Sequence, residues 1–168
     1  GAALVSNGEA IVLDSSSTAL AIVKHLKQHR DLTILTNSLV IAHEMLDAPG
    51  VTVVMPGGTL RREMASLTLG NGLESLRRFN IQKGFFGATG ISVPEGLTDV
   101  NVGEAEVKRP LVAMCREVIA VLDATKWGRV GLASFAALEG IHRIITDVKA
   151  PADLVKQVRA LGIKVKLV

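Results

Sequence analysis

Small polar side chains follow several of the short apolar runs in this sequence. The first run ends at Asp14, and Ser15, Ser16, Ser17 and Thr18 come directly after it. Hydroxyl groups beside the free backbone amides at the start of a helix can bind a phosphate group. The same residue types are also the usual helix caps. The segment therefore predicts either a phosphate site or a cap.

Three later turns contain residues of similar character. These are, in chain order, Thr36 with Asn37, Gly57 with Gly58, and Thr89 with Gly90. An asparagine can cap a helix or bind a sugar hydroxyl, and a glycine pair can form a turn or let a ligand approach the backbone closely. Ligands of open parallel sheets bind where the carboxyl ends of the strands meet. The four turns together therefore predict one binding site.

Charged residues beside the later turns are further candidates for this site. Lys126 lies three residues after Asp123 and can bind a phosphate or carboxylate group, or form an ion pair with Asp123. Glu104 and Lys108 lie at the start of a predicted helix that follows a glycine-rich loop. There Glu104 can take part in the site or simply complement the helix dipole.

The elements that must position these residues alternate between strands and helices. Short runs rich in valine and isoleucine predict strands at 10–13, 32–35, 51–55, 84–88, 118–122, 141–146 and 164–168. Segments of helical period predict helices that include 20–29, 39–46, 69–79, 104–116 and 152–161, with a loop at 89–102. Such alternation predicts an α/β fold with a single doubly wound, mainly parallel sheet flanked by helices.

Composition and charge favour one folded domain that does not read DNA by itself. The chain of 168 residues is 48% hydrophobic and 21% charged, with a formal net charge of +3. These values are ordinary for a globular protein and far from those of disordered chains. The basic residues occur in separated pairs, whereas a nucleic-acid surface normally needs clustered cations.

The sequence also indicates a cytoplasmic protein without a metal or a cofactor. No apolar run reaches the roughly eighteen residues of a membrane span, and the first residues lack the pattern of a signal peptide. The lone Cys115, which we predict as a small buried residue on a helix, favours a reducing compartment. His25 and His29 have the spacing of metal ligands on a helix, but no third ligand is evident.

The order of these turns resembles the C-terminal sensor domain of DeoR-family transcriptional regulators. The matching stretches are Val12-Leu-Asp-Ser-Ser-Ser-Thr18, Leu35-Thr-Asn-Ser38, Pro56-Gly-Gly-Thr-Leu-Arg61, Gly87-Ala-Thr-Gly90, Glu104-Ala-Glu-Val-Lys-Arg109, Leu122-Asp-Ala-Thr-Lys126 and Ile145-Thr-Asp147. The resemblance implies a fold similar to that of ribose-5-phosphate isomerase and the CoA-transferase group. It also implies an effector site for a phosphorylated sugar.

Carried over by position, the resemblance implies a defined set of ligand-binding residues. They are Asp14, Ser16, Ser17, Thr18, Thr36, Asn37, Gly57, Gly58, Thr89, Gly90, Glu104, Lys108 and Lys126. Many members of the family have glycine where Ser16 stands here. If that position requires a positive φ, serine strains it.

The resemblance also implies a domain arrangement and partners. We expect residues 1–9 to be a linker remnant and residues 10–168 to be the sensor domain. The family places a winged helix-turn-helix before the sensor, and no such segment is present in this sequence. We therefore expect a homo-oligomeric repressor of sugar metabolism that contacts operator DNA through that absent domain.

Two alternatives to a sensor are a sugar-phosphate isomerase on the same fold and a purely structural dimerisation domain. An isomerase needs a carboxylate base, which Asp99, Glu104 or Glu106 could supply. The acidic and glycine-rich signature of ribose-5-phosphate isomerases is not evident, so we assign no catalytic residue and favour a non-enzyme. A structural domain leaves the polar turns with no role beyond capping.

Overall fold

The computed structural model describes residues 1–68 and 70–168. Along the chain its elements are β1 (Ala10–Leu13), α1 (Ser17–Val23), β2 (Leu32–Leu35), α2 (Leu39–Glu44), β3 (Val51–Val54), β4 (Leu60–Arg61), β5 (Ser66–Leu67), α3 (Gly72–Leu76), β6 (Ile81–Phe86), β7 (Gly90–Ser92), β8 (Gly96–Asp99), α4 (Val102–Ala113), β9 (Cys115–Val121), β10 (Ala133–Ala136), β11 (Arg143–Thr146), α5 (Ala152–Ala160) and β12 (Lys164–Leu167). Short 3-10 turns join several of them.

Seven strands form the central sheet in the order β12-β11-β9-β6-β1-β2-β3. Every neighbouring pair in this sheet is parallel. The chain builds β1, β2 and β3 outward in one direction, returns to place β6 on the other side of β1, and then builds outward again. The predicted α/β fold with a doubly wound sheet is confirmed, and its topological switch point lies between β1 and β6.

Alternate residues of the central strands enter two different hydrophobic cores. Ile11 and Leu13 of β1 pack in one core with residues of α1 and α2, whereas Val12 packs in the other core with residues of α4 and α5. Side chains point to opposite faces along a strand, and a sheet covered by helices on both faces is buried on both. This double burial holds the carboxyl ends of the strands at a fixed edge between the helical layers.

A second, antiparallel sheet lies where the sequence predicted only a loop. Residues 89–102 contain β7 and β8, which pair with each other and with β10 in the order β10-β8-β7. Leu97 of β8 and Phe135 of β10 join the core that α4 enters. The prediction of a loop was wrong because the pairing of β8 with the distant β10 leaves no local pattern in either segment.

Several predicted boundaries also differ from the structure. The predicted helix 104–116 begins at Val102, because Asn101 caps it, and it ends at Ala113. Cys115 therefore begins β9 instead of lying on a helix, and burial raises the pKa of its thiol to about 12. The predicted helix 69–79 is the single short helix α3, and Leu69 lies outside the described residues.

Residues 1–68 and 70–168 contain neither a membrane-spanning helix nor a cluster of metal-ligating side chains. No helix there has both the length and the apolar character needed to cross a membrane. The same residues contain no group of three histidine, cysteine or acidic side chains that could hold a metal ion.

Candidate ligand-binding site

A cavity of about 400 Å³ opens at the carboxyl ends of β1, β6 and β9. Its walls are Ser15, Ser16, Ser17, Thr18, Met64, Gly87, Ala88, Thr89, Asp99, Val100, Asn101, Glu104, Lys108, Val121, Leu122, Asp123 and Lys126. The cavity therefore lies at the switch point of the sheet, where ligands of doubly wound folds bind. Its volume is within the range of small-molecule sites.

The turn after β1 is organised by the buried side chain of Asp14. This carboxylate accepts hydrogen bonds from the backbone N–H of Ser16 at 3.1 Å and of Gly87 at 2.9 Å, and also from the Ser16 hydroxyl. Ser16 has φ −72° and caps α1 by accepting from Ala19 N at 3.1 Å. Serine is unstrained at this position because its backbone is extended.

Glycine at position 87 allows the turn after β6 to approach the turn after β1. A Cβ atom on Gly87 would lie 2.7 Å from Cβ of Ser16, which is closer than two carbon atoms can pack. The side chain of Ser16 therefore occupies the space that Gly87 leaves open. A side chain at position 87 would therefore force the two turns apart.

Lys108 is buried between two carboxylates. Its Nζ lies 3.0 Å from Asp99 Oδ2 and 3.3 Å from Asp14 Oδ2, and it donates to the carbonyl of Gly87 at 3.0 Å. Burial lowers the pKa of an ammonium group, but the charges of Asp14 and Asp99 outweigh this effect and hold the pKa of Lys108 above its ordinary value. Lys108 is thus an internal counter-ion as well as part of the cavity wall.

Glu104 joins three segments at one end of the cavity. It is only 1% exposed, and its Oε2 accepts from the Ser15 hydroxyl at 2.6 Å. Its Oε1 accepts from the Ser66 hydroxyl and from Arg61 Nη1, both at 3.0 Å. Asn101 caps α4 by accepting from Glu104 N at 3.1 Å. Both carboxylate oxygens of Glu104 are therefore hydrogen-bonded within the protein.

The turn after β9 brings Lys126 to the other end of the cavity. Asp123 caps this turn by accepting from Thr125 N at 2.8 Å and from the Thr125 hydroxyl, and the hydroxyl bond lowers the pKa of Asp123. Within the part of the chain that the structure describes, Lys126 forms no ion pair with a carboxylate. The charge of Lys126 nevertheless helps to lower the pKa of Asp123, so the ammonium lies near that carboxylate without forming a close pair with it.

Comparison with protein families gives a match to a family described as the DeoR C terminal sensor domain. The match covers residues 1–148, which is most of the chain. The chain belongs to the DeoR family. The polar turns that line the cavity lie within the matched region.

Relatives of this DeoR-type sensor domain include named transcriptional regulators. The HTH-type transcriptional regulator GolR of Listeria innocua is 37% identical over 166 residues, which are 99% of this chain and 65% of the relative. The HTH-type transcriptional repressor GlcR of Bacillus subtilis is 33% identical over 146 residues, which are 87% of this chain and 56% of the relative. The chain thus spans less than two thirds of the length of these relatives.

The solved structures similar to this DeoR-type domain include an enzyme of the same fold. Ribose 5-phosphate isomerase from Plasmodium falciparum superposes with a TM-score of 0.53 at 15% identity, over 76% of this chain and 48% of that chain. At this identity the likeness concerns the fold alone. The predicted similarity to the ribose-5-phosphate isomerase fold is confirmed.

The residues predicted to bind a ligand fall into three groups in this DeoR-type domain. Seven of them line the cavity, namely Ser16, Ser17, Thr18, Thr89, Glu104, Lys108 and Lys126. Asp14 lies directly behind the wall, because it is hydrogen-bonded to Ser16 and paired with Lys108. The others lie outside the cavity lining, namely Thr36, Asn37, Gly57, Gly58 and Gly90.

The turn after β2 is engaged by a nearby hairpin instead of facing the cavity. The Asn37 side chain donates from Nδ2 to the carbonyl of Leu67 at 3.1 Å, and Leu67 N donates to the Asn37 carbonyl at 2.8 Å. The Thr36 hydroxyl accepts from Ser38 N at 3.1 Å. Through these contacts the turn after β2 binds the hairpin formed by β4 and β5.

The glycines outside the cavity are explained by a positive φ, by a close backbone approach or by both. Gly58 has φ +111°, and a Cβ atom there would lie 1.6 Å from the carbonyl oxygen of Thr68. Gly57 has φ +77° with open space around it. A Cβ atom on Gly90 would lie 2.2 Å from the carbonyl oxygen of Arg129. All three positions are explained by local backbone geometry.

Ten residues of the cavity wall were not in the predicted set. They are Ser15, Met64, Gly87, Ala88, Asp99, Val100, Asn101, Val121, Leu122 and Asp123. Ser15, Gly87 and Asp123 belong to turns that the sequence did single out, so turn membership alone could have included them. Asp99 and Met64 reach the cavity from β8 and from the segment between β4 and β5, whose placement depends on contacts between distant parts of the chain.

Proposed function

We propose that this domain binds a phosphorylated sugar in the cavity at the switch point and so regulates an attached DNA-binding domain. The observation that carries the proposal is the distribution of charge along the cavity wall. Among residues 1–68 and 70–168, Lys126 lies near the Asp123 carboxylate but forms no close ion pair, whereas the carboxylates of Asp99 and Glu104 are paired with Lys108 and Arg61. Such a cavity suits a ligand with one anionic group and several hydroxyl groups.

The phosphate group would bind near Lys126 and the turn after β1. The hydroxyls of Ser17 and Thr18 line the cavity, and Thr18 also lines an adjoining groove together with Asp123, which places it beside the turn that carries Lys126. A hydrogen bond to a charged group contributes about 1.5–3 kcal/mol. A few such bonds are enough for affinity near the micromolar range, about 8 kcal/mol, after the cost of association.

The sugar hydroxyls would bind near Asp99 and Glu104. Ionised carboxylates accept hydrogen bonds and do not donate, so they match hydroxyl donors and disfavour a second phosphate group. Asn101 lines the same part of the cavity. Thr36, Asn37, Gly57, Gly58 and Gly90 enter this proposal as supports of the surrounding turns. We therefore expect a sugar monophosphate to bind better than a bisphosphate.

The regulatory role is supported by the names of the relatives, which are transcriptional regulators and repressors. A coupling of about 1–3 kcal/mol between effector and operator binding changes operator affinity severalfold to more than a hundredfold. A palindromic operator is recognised by a symmetric protein, so we propose a homo-oligomer that contacts operator DNA through a helix-turn-helix domain. The expected ligand is a metabolite of the sugar pathway that the regulator controls.

A thermal-shift panel tests the proposal directly. The chain is heated with a series of sugar phosphates and with each matching unphosphorylated sugar at equal concentration. At least one sugar phosphate should raise the Tm, while its unphosphorylated form does much less, because a ligand that binds the folded state stabilises it. Equal shifts for the two forms would contradict the phosphate site.

The second candidate function is a sugar-phosphate isomerase, which is favoured by the fold alone. A general base must be free to take a proton from the substrate. Both oxygens of Glu104 are hydrogen-bonded, Asp99 is paired with Lys108, and Glu106 is exposed outside the cavity lining. We expect NMR of ribose 5-phosphate or fructose 6-phosphate incubated with the chain to show no interconversion. Turnover that Glu104→Gln abolishes would establish the isomerase.

A further inference from the structure

The hairpin formed by β4 and β5, residues 60–67, crosses the edge of the sheet, and we refer to it as the strap. One side of the strap is seated on the turn after β2. Leu67 pairs with Asn37 through two hydrogen bonds, and Leu39 N donates to the carbonyl of Ala65 at 2.9 Å. Met64, in the middle of the strap, lines the cavity. The strap is therefore a wall of the site that comes from outside the parallel sheet.

The other side of the strap is fixed to the first turn of α4 by Arg61. Its Nη1 donates to Glu104 Oε1 at 3.0 Å and its Nη2 donates to Asn101 Oδ1 at 2.7 Å. Arg61 is not part of the cavity wall, whereas Glu104 and Asn101 both are. Among the described residues, Glu104 and Asn101 accept the hydrogen bonds that connect the guanidinium to the cavity wall.

The start of α4 is shaped to accept this guanidinium. A Cβ atom on Gly103 would lie 2.7 Å from Nη1 and 2.9 Å from Cζ of Arg61. Glycine at this helical position leaves the guanidinium room to lie against the helix. Since Gly103 has an ordinary helical backbone, alanine is compatible with the helix and conflicts only with the side chain of Arg61.

One buried polar atom at the contact between the strap and the turn after β2 has no hydrogen-bond partner among the described residues. Asn37 is buried, and its Oδ1 has no hydrogen-bond partner among residues 1–68 and 70–168. An unsatisfied buried acceptor disfavours the arrangement that buries it. On its other side, the bonds from Arg61 and Ser66 to Glu104 attach the strap to the cavity wall.

We propose that Arg61 is a positioning residue for the ligand, which acts through Glu104 and Asn101 to hold the strap against the cavity. The proposal rests on the proposed function and names how the same site is regulated. With its Oε1 bound to Arg61, Glu104 is neutralised and presents Oε2 to Ser15 and the cavity. Without Arg61, a buried carboxylate without a cation faces the ligand, and it repels an anionic one.

The coupling runs in both directions. A ligand that bonds to Glu104 or Ser15 changes the partners of the carboxylate that Arg61 holds, so occupancy of the cavity changes the attachment of the strap. By linkage, a strap held in place favours the ligand by the same factor. The strap is then the segment through which occupancy is transmitted to the surface of the domain.

The test compares Arg61→Met and Gly103→Ala with Arg62→Met in the 168-residue chain. Arg62 is exposed on the same strap, so its substitution is a matched control. In the absence of ligand, Arg61→Met and Gly103→Ala should speed hydrogen exchange of the Leu67 amide at least tenfold and shift the NMR resonances of Ser15 and Ser16. Arg62→Met should do neither.

The ligand arm measures the Kd for fructose 6-phosphate and ribose 5-phosphate in the same variants. We expect Arg61→Met to weaken binding at least fivefold and Arg61→Lys, which keeps the charge without the planar fork, to restore part of the loss. Faster exchange in the strap with unchanged Ser15 resonances and unchanged Kd would overturn the proposal.

The ligand-free measurements test this inference, and the Kd measurements also test the proposed function, so the two can fail separately. If neither sugar phosphate binds the wild-type chain and the wider panel finds no ligand, the proposed function fails while the ligand-free arm still decides the coupling. Shifted Ser15 and Ser16 resonances in Arg61→Met would then support it, and unshifted ones would refute it.

Discussion

The carboxyl edge of the sheet has two halves with similar residues and different structures. The cavity half comprises the turns after β1, β6 and β9, which surround an open volume of about 400 Å³. The strap half comprises the turns after β2 and β3, where Asn37 pairs with Leu67 and Gly58 packs against Thr68. The turns of both halves contain serine, threonine, asparagine or glycine, but among the described residues the turns after β1, β6 and β9 line the cavity and those after β2 and β3 do not.

Polar turns therefore indicate where the carboxyl ends of the strands lie. They do not determine whether a cavity or another segment of the chain lies against those ends. In the strap half the backbone groups are bonded by a hairpin that the chain inserts between β3 and β6. In the cavity half Lys108 satisfies the buried carboxylates and Lys126 lies near the carboxylate of Asp123. The cavity half is therefore expected to govern ligand affinity, and the strap half to govern stability and the position of one wall.

The largest expected effect is at Lys108. Lys108→Met leaves Asp14 and Asp99 buried without their cation, which should lower the free energy of unfolding by about 3–5 kcal/mol, as measured by urea denaturation. Lys126→Met in the same cavity is the control and should cost less than about 0.5 kcal/mol. Equal losses would remove the distinction between the two lysines.

The next largest effect is expected in the strap half, where substitutions of the adjacent residues Gly57 and Gly58 can be compared directly. Gly58→Ala combines a positive φ with a clash against the Thr68 carbonyl and should cost about 3 kcal/mol of stability. Gly57→Ala adds a Cβ atom in open space and should cost only the backbone strain, about 1–2 kcal/mol. Thermal or urea unfolding measures both. A larger cost at Gly57 would mean that the backbone of Thr68 is not packed against Gly58.

A smaller effect is expected for the ligand at Lys126. Lys126→Ala should weaken binding of the best sugar phosphate about tenfold, which corresponds to about 1.4 kcal/mol, and should leave stability nearly unchanged. Lys149→Ala removes the same charge from an exposed turn outside the cavity and serves as the control. Isothermal titration calorimetry of both variants measures their affinities for the sugar phosphate. Unchanged affinity in Lys126→Ala would move the phosphate to another part of the cavity.

The smallest effect lies at the start of β9, outside both halves. Burial raises the pKa of the Cys115 thiol to about 12, whereas the thiol of the unfolded chain ionises near pH 9. The protonated folded thiol therefore contributes stability that is lost as the pH rises above about 9, on the order of 1 kcal/mol by pH 10. Cys115→Ala should show less loss between pH 8 and 10. Parallel curves for the two proteins would contradict the raised pKa.

Much of the fold follows from local sequence patterns. The strands β1, β2, β3 and β11 and the helix α5 lie close to their predicted positions, because each combines a buried apolar run or an amphipathic period with a clear polar boundary. The strands β7 and β8 were not predicted. They depend on the turn at Gly96, which has a positive φ, and on pairing with β10, and neither feature leaves a local pattern in the sequence. Helix α4 began earlier than predicted because Asn101 caps it.

The candidate site was predictable where it consists of turns that follow strands directly. Ser16, Thr18 and Lys126 lie where the periodicity and the resemblance place them. The roles of Glu104 and Lys108 were not predictable in detail, because their partners Arg61 and Asp14 lie at least forty residues away in the sequence. The exclusion of Asn37 from the cavity depends on its pairing with Leu67, which no spacing in the sequence reveals.

The most direct test is an NMR titration of the isotope-labelled chain with the sugar phosphate that stabilises it most. Binding in the cavity half predicts the largest shifts at the amides of residues 15–18, 87–89 and 126, with smaller shifts in the strap. The same sugar without phosphate should produce little change. Shifts centred on Thr36 and Gly57, or on the groove lined by His142 and Lys164 at the opposite edge, would contradict a site at the switch point.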